Sequence, residues 1–337
     1  MKKLFSLFIL AALVLLLGVM VDSVLAQRKD EKPIEEKEEK PQARAAITVA
    51  VEQVKVDVTV QDKKGNLIQG LEKEHFKIYE GKVQQEITYF SPIEAPMTAV
   101  LVTEYSKVIP WEWLYEAWLA THIFVEQMRP EDWVAAVAYD IKPEILVDFT
   151  QNKAEVYNAL RRLNFPAYRE SNLYDTVFDV LDRMEELDGK VAVILITSGL
   201  DTFSKKNLDE TFDKVKKSNV VIYSVSLGGN FRARYEHYMG SMTRMDLYQA
   251  DATLKYFAKY TGGHAFFPRF VQAYRGIFNT ISAMLRNQYS LGYVSSNSKK
   301  DGKYRKIKVE VAADVDGDGK PDKLKVQHRE GYLVEKG

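Results

Sequence analysis

No cysteine occurs among the 337 residues. That excludes disulfides, thiolate metal sites, a cysteine nucleophile and a lipid-modified N-terminal cysteine. The fold must be held by core burial alone, which a chain of this length allows. An excess of one charge is missing too: 47 Lys and Arg balance 47 Asp and Glu. Nothing in that balance points to nucleic acid or to an acidic substrate. The chain has no Gly-x-Ser-x-Gly, no Gly-x-x-x-x-Gly-Lys and no Gly-x-Gly-x-x-Gly. It therefore carries no signature of a nucleophile elbow, a phosphate loop or a dinucleotide turn. Its five histidines, His75, His122, His237, His264 and His328, are not spaced as a zinc pair. A Ser–His–Asp triad built from distant segments would have no local signature, and none is seen.

What is present begins with an export signal. Lys2 and Lys3 precede an almost wholly apolar run from Leu4 to Val21, and Ser23-Val24-Leu25-Ala26 offers a cleavage site before Gln27. Residues 1–26 read as a signal peptide. The alternative is a retained membrane anchor, since 18 residues is close to the shortest span. Residues 27–45 are charged, lack aromatics and contain Pro33 and Pro41. They cannot bury enough apolar surface to offset ordering entropy and read as a disordered linker.

From residue 46 the pattern has period two. Val54, Val56, Val58 and Val60 alternate with polar residues, and Phe76–Tyr79 and Ile87–Phe90 follow as strands. Residues 46–95 are thus an N-terminal β region. Residues 96–288 alternate strands with helices. Strands are expected at Ala99–Thr103, Trp133–Tyr139, Val191–Thr197, Val220–Leu227 and His264–Phe267. Helices are expected at Trp111–Met128, Ala154–Leu163, Leu173–Leu187, Leu208–Lys217, Leu247–Tyr260 and Phe270–Gln288. The wholly apolar VAVILIT run suits a strand covered on both faces. This rhythm predicts an α/β fold, a doubly wound, Rossmann-like, mostly parallel sheet flanked by helices. Residues 289–337 return to strands (Tyr289–Val294, Tyr304–Val311, Leu324–Arg329) and are expected to join residues 46–95 in one accessory β module. There are no internal repeats.

Several segments in order carry a resemblance: LEKEHFKIYEGK, FSP, RPEDWVAAVAYD, DFT, SNLYD, ILITSGLD, YTGGHAFF, LRNQYSLGY and YRKIKVEV. Together they resemble the von Willebrand factor type A-related proteins of bacteria, over about residues 47 to 333. The resemblance implies a metal-ion-dependent adhesion site at one end of the sheet, built from Asp-x-Ser-x-Ser, a Thr and a second Asp around Mg²⁺. Here Glu104 stands for the first Asp, Ser106 matches the first Ser and Val108 replaces the second. Ser171 stands for the Thr, and Ser198 replaces the last Asp. One hydroxyl is lost and one carboxylate becomes a hydroxyl. The site is degenerate, and its ligand set argues against Mg²⁺, which tolerates poor geometry badly.

A second candidate metal site lies in the C-terminal region. Asp314, Asp316, Asp318 and Asp322 occupy loop positions 1, 3, 5 and 9, with Gly319 at 6 and Lys320 offering its backbone carbonyl at 7. That is the spacing of an EF-hand-type loop, except that Lys325 replaces the bidentate Glu at position 12. A structural Ca²⁺ that stiffens a hairpin is expected; a metal-free Asp-Gly turn is the alternative.

Trp111, Trp113, Trp118 and Trp133 concentrate near the first helix. They read either as an aromatic contact surface or, more simply, as packing. Arg232–Met245 reads as a long loop rich in Tyr, Arg and Met. Taken together, the sequence describes an exported, extracytoplasmic, non-catalytic module that binds a protein partner and no nucleic acid. It meets a membrane only if residues 4–21 are retained. A secreted hydrolase with an unrecognised site and an anchored structural component of the envelope are the competing readings.

Overall fold

The computed structural model describes residues 53–94, 96–163, 168–185 and 191–336. The expected signal peptide (1–26) and linker (27–45) lie outside the described residues. No helix among the described residues is long and apolar enough to cross a membrane.

The chain opens with β1 (Gln53–Gln61), β2 (Phe76–Glu80), β3 (Val83–Gln85) and β4 (Ile87–Glu94). The α/β part then runs β5 (Thr98–Glu104), α1 (Trp111–Glu126), β6 (Trp133–Tyr139), β7 (Pro143–Thr150), α2 (Lys153–Arg161) and α3 (Leu173–Glu185). It continues through β8 (Ala192–Thr197), α4 (Leu208–Lys217), β9 (Val221–Ser226), α5 (Gly229–Tyr235), α6 (Ser241–Thr261), β10 (Ala265–Phe266) and α7 (Ala273–Arg286). It closes with β11 (Asn287–Val294), β12 (Tyr304–Val311), β13 (Lys325–Gln327) and β14 (Gly331–Leu333).

The central sheet has the order β10-β9-β8-β5-β6-β7. All its pairings are parallel except β6–β7. From β7 inward, and counting from β5, this is the doubly wound order 3-2-1-4-5-6, so the winding reverses between β5 and β8. The sheet is covered on both faces, as the apolar runs require. On β5, Ala99 and Leu101 face a core shared with α1, α2 and α7, while Val100 and Val102 face α3, α4 and α6. Local signals set the helix ends. Asn207 Oδ1 accepts the Glu210 amide (2.9 Å) and Glu210 Oε2 accepts the Asn207 amide (3.0 Å), a capping box that starts α4 and is worth about 1 kcal/mol.

The two flanks do join, as two four-stranded sheets around one core: β13-β1-β11-β4 and β14-β12-β2-β3. β1 and β4 pair with β11, and β2 pairs with β12, all antiparallel, so N- and C-terminal strands interleave in both sheets. Val56, Val58 and Val60 meet Phe76, Ile78, Leu291, Ile307 and Val309 in that core. Where the chain returns from α7 to β11, buried Arg286 pairs with buried Asp132. Asp132 also accepts the amides of Met97 (2.8 Å) and Arg129 (2.7 Å).

Three expectations need correction. Arg232–Met245 is not a long loop: it is covered by α5, a 3₁₀ turn at Glu236–Tyr238 and the first turns of α6. Its exposed Tyr, Met and Arg side chains hide the helical period because the buried stripe there is thin. Residues 314–322 do not close a hairpin, because β12 pairs with β2 and β14 while β13 pairs with β1. The loop crosses from one sheet to the other. β7 was not expected at all. It is an edge strand begun by a proline and without a fully buried residue, and such strands lack the apolar alternation that betrays the others.

Candidate functional site

The winding reversal between β5 and β8 places a crevice at the carboxyl ends of these strands, where open α/β sheets bind ligands. The last residue of β5 is Glu104, and Thr197-Ser198 ends β8 beside it. Glu104 is 0% exposed. Its Oε2 accepts the Ser198 amide (2.7 Å), the Ser198 hydroxyl (2.8 Å) and the Thr197 hydroxyl (2.9 Å). Its Oε1 accepts the Ser106 hydroxyl (3.1 Å). The Tyr139 hydroxyl, at the end of β6, lies 2.7 Å from Thr197 Oγ1. Since Thr197 donates to Glu104, Tyr139 donates to Thr197. Burial, and then the Glu104 charge, raise the Tyr139 pKa well above the usual phenol value, so this donor stays protonated.

Of the four sequence-predicted residues, the structure joins Glu104, Ser106 and Ser198 directly. Ser171 is held one step away: its hydroxyl donates to Leu200 O (3.1 Å), and its amide donates to Thr202 Oγ1 (2.8 Å). Val108, at the position of the second Ser, is a half-buried residue packed against the core. The extra methylene of Glu104 carries its carboxylate to the Ser198 amide, so protein donors surround the oxygens that a cation would need. Ser106, Ser171 and Ser198 are also buried, at 0%, 0% and 2% exposed. None of the four predicted residues is open to a partner. Thr197 and Tyr139 belong to the network but were missed. The adjacency of Thr197 to Ser198 was the available signal; Tyr139 comes from another strand and left none.

Two acids outside this network have raised pKa values. Burial raises Glu116 of α1 and outweighs the hydrogen bonds it accepts from Tyr274 Oη (2.6 Å) and the Gly228 amide (3.1 Å). Burial likewise raises Asp201, which accepts the Ser204 hydroxyl (2.5 Å) and the Tyr174 amide (3.0 Å). Both are engaged by protein donors.

The Asp-rich loop is the opposite case. Oxygens of Asp314, Asp316 and Asp322 lie within 4.8 Å of one another, at exposed or half-buried positions. Asp314 accepts the amides of Gly317 (2.7 Å), Asp318 (3.1 Å) and Gly319 (2.8 Å), and Asp322 those of Val315 (2.9 Å) and Asp316 (3.2 Å). Gly317 and Gly319 have positive φ (78° and 82°), the turn that the spacing requires. Asp318 instead accepts the Lys320 amide (2.9 Å). Hard carboxylate oxygens converging at a tight turn suit Ca²⁺.

The tryptophans divide. Trp113 is buried in the core, while Trp111, Trp118 and Trp133 are 60%, 39% and 44% exposed. On α1, Trp118 contacts Tyr115 and His122 in a run of exposed or half-buried rings.

No family model matches the sequence, and no curated protein matches it. Among solved structures, the fold is similar to the vWF domain of the type V pili tip protein Mfa5 from Porphyromonas gingivalis (14% identity, 57% of this chain and 97% of that one, TM-score 0.43). It is also similar to BatB from Bacteroides thetaiotaomicron (12%, 56% and 98%, TM-score 0.41) and to a von Willebrand factor type A protein from Catenulispora acidiphila (10%, 75% and 75%, TM-score 0.42). At these values the likenesses carry no argument about partners. The strand order, the antiparallel edge and the two helical layers define the class: a doubly wound α/β domain with an added β module, similar in fold to these von Willebrand factor type A structures.

Proposed function

We propose that the chain is an exported, non-catalytic interaction module that engages a protein partner at the carboxyl edge of its sheet without Mg²⁺ at the adhesion-site position. The observation that carries this reading is the closed Glu104 network. Four hydrogen bonds occupy the carboxylate, and its hydroxyl partners face it rather than solvent. Binding at this edge then falls to the surface beside the site. Tyr238, at the end of the preceding 3₁₀ turn, and Met242 and Met245, in the first turns of α6, are 79%, 79% and 66% exposed and present large apolar side chains there. Exposed Tyr and Met beside arginines are the composition of interface cores. Export rests on residues 1–26 alone.

The same reading includes a structural Ca²⁺ held by Asp314, Asp316 and Asp322, with Asp318 and the Lys320 carbonyl as further ligands. It would fix the crossover between the two β sheets. The convergence of the three carboxylates supports it.

A photoreactive residue placed at Met242, in the cell that makes the protein, tests the module. The expected result is a discrete crosslinked partner, unchanged by EDTA, lost with Met245→Glu and absent from a control at Lys82. No adduct at Met242, or one that EDTA abolishes, contradicts the proposal.

A further inference from the structure

Beside the closed site, an open groove of about 830 Å³ runs from the end of β9 across α5 and the first turns of α6 to the segment after β10. Gly229 lines it, and Gly228 precedes it in a turn packed against Trp113. Gly228 has φ +77°, and a Cβ there would sit 2.1 Å from the Trp113 ring; a Cβ on Gly229 would sit 2.0 Å from Pro268 O. Three arginines line the groove: Arg232, Arg244 and Arg269. Two acids line it as well, and both are engaged. Asp251 pairs with Arg232 (2.8 Å), and Glu236 accepts the Tyr248 hydroxyl (2.5 Å). Among the described residues, no acidic side chain pairs with Arg244 or Arg269. The groove thus holds two guanidinium groups without a carboxylate, flanked by Met245 and Tyr248, which are exposed.

From this charge complementarity we infer that the groove binds an acidic peptide segment of a protein partner, with Arg244 and Arg269 holding its carboxylates and Met245 and Tyr248 contacting its apolar side chains. The inference rests on the interaction-module reading and supplies the chemistry of the partner. Guanidinium forks match carboxylates with paired, charge-assisted hydrogen bonds. A densely charged polyanion fits less well, because Asp251 and Glu236 would repel its neighbouring charges. A peptide with spaced carboxylates and apolar residues between them meets both Arg244 and Arg269 and the exposed Met245 and Tyr248. Glu104 does not line the groove, and the contacts invoked here are made by side chains alone.

Fluorescence polarisation on the full chain tests this with two labelled probes, acetyl-Glu-Leu-Glu-Leu-Glu and its Gln-Leu-Gln-Leu-Gln counterpart. The Glu peptide should bind at least about tenfold tighter than the Gln peptide, with the difference shrinking as salt rises. EDTA should leave it unchanged. Arg244→Glu with Arg269→Glu should lose about tenfold or more while the melting temperature stays unchanged, because neither pairs with an acid among the described residues. Equal binding of the two peptides, or undiminished binding by the double variant, overturns the inference. So does preferential binding of dextran sulfate or of phosphatidylglycerol vesicles. If the Met242 crosslink persists while the peptide test fails, the acidic-peptide assignment alone falls. If the crosslink is absent too, the underlying module reading falls with it.

Discussion

Glu104 and the 314–322 loop both gather carboxylate oxygens, with opposite outcomes. Glu104 ends a central strand, is fully buried and has its donors supplied by Ser106, Thr197 and Ser198. The loop lies on the surface, and its three converging carboxylates accept only backbone amides from within the turn. A buried carboxylate must be satisfied by protein because desolvation costs too much otherwise. An exposed cluster can leave lone pairs for an ion. On the proposed reading, the chain closes the adhesion-site position with its own donors and holds its ion in the surface loop instead.

The largest expected effect breaks the first half of this contrast. Glu104→Ala leaves three hydroxyls and an amide buried without their acceptor, and should cost about 3–5 kcal/mol of stability, read from urea midpoints. Asp316→Ala, without Ca²⁺, should change it by no more than about 0.5 kcal/mol. Comparable losses from both would erase the distinction. A smaller effect sharpens the second half. With a dissociation constant of about 10⁻⁴–10⁻³ M, Ca²⁺ at about 10 mM should stabilise the chain by roughly 1.4–2.7 kcal/mol in thermal melts. Asp316→Ala with Asp318→Ala should abolish that gain, and identical melts in Ca²⁺ and chelator would remove the ion from the account. Smallest is the gain from reopening the closed site. Glu104→Asp, Val108→Ser and Ser198→Asp together should raise Mg²⁺ affinity by about tenfold or more in calorimetry. No gain would mean that burial, and not the ligand set, excludes the ion.

Much of the fold was legible because burial dictates period. The VAVILIT run, the Val54–Val60 alternation and the three-to-four spacing in α3 all mark elements with a buried side. β7 and α5 were not legible, because little of either is buried and their residues owe their conformation to neighbours. At the site, Glu104, Ser106 and Ser198 were legible through the family resemblance, whose pattern falls at the ends of β5 and β8. That Glu104 takes up the hydroxyls itself follows only from the one-methylene reach across to β8. The groove left a trace in the sequence as a Tyr-, Arg- and Met-rich stretch. Its convergence with Arg269, about 25 residues beyond Arg244, needs the turn through β10.

The central claim is that the carboxyl edge works without a metal ion, and an isothermal Mg²⁺ titration tests it most directly. The chain to use carries Asp316→Ala and Asp318→Ala, so that the loop cannot contribute heat, and leaves Glu104, Ser106, Ser171 and Ser198 intact. The account predicts no saturable binding at millimolar Mg²⁺. A one-to-one isotherm abolished by Ser198→Ala would contradict it.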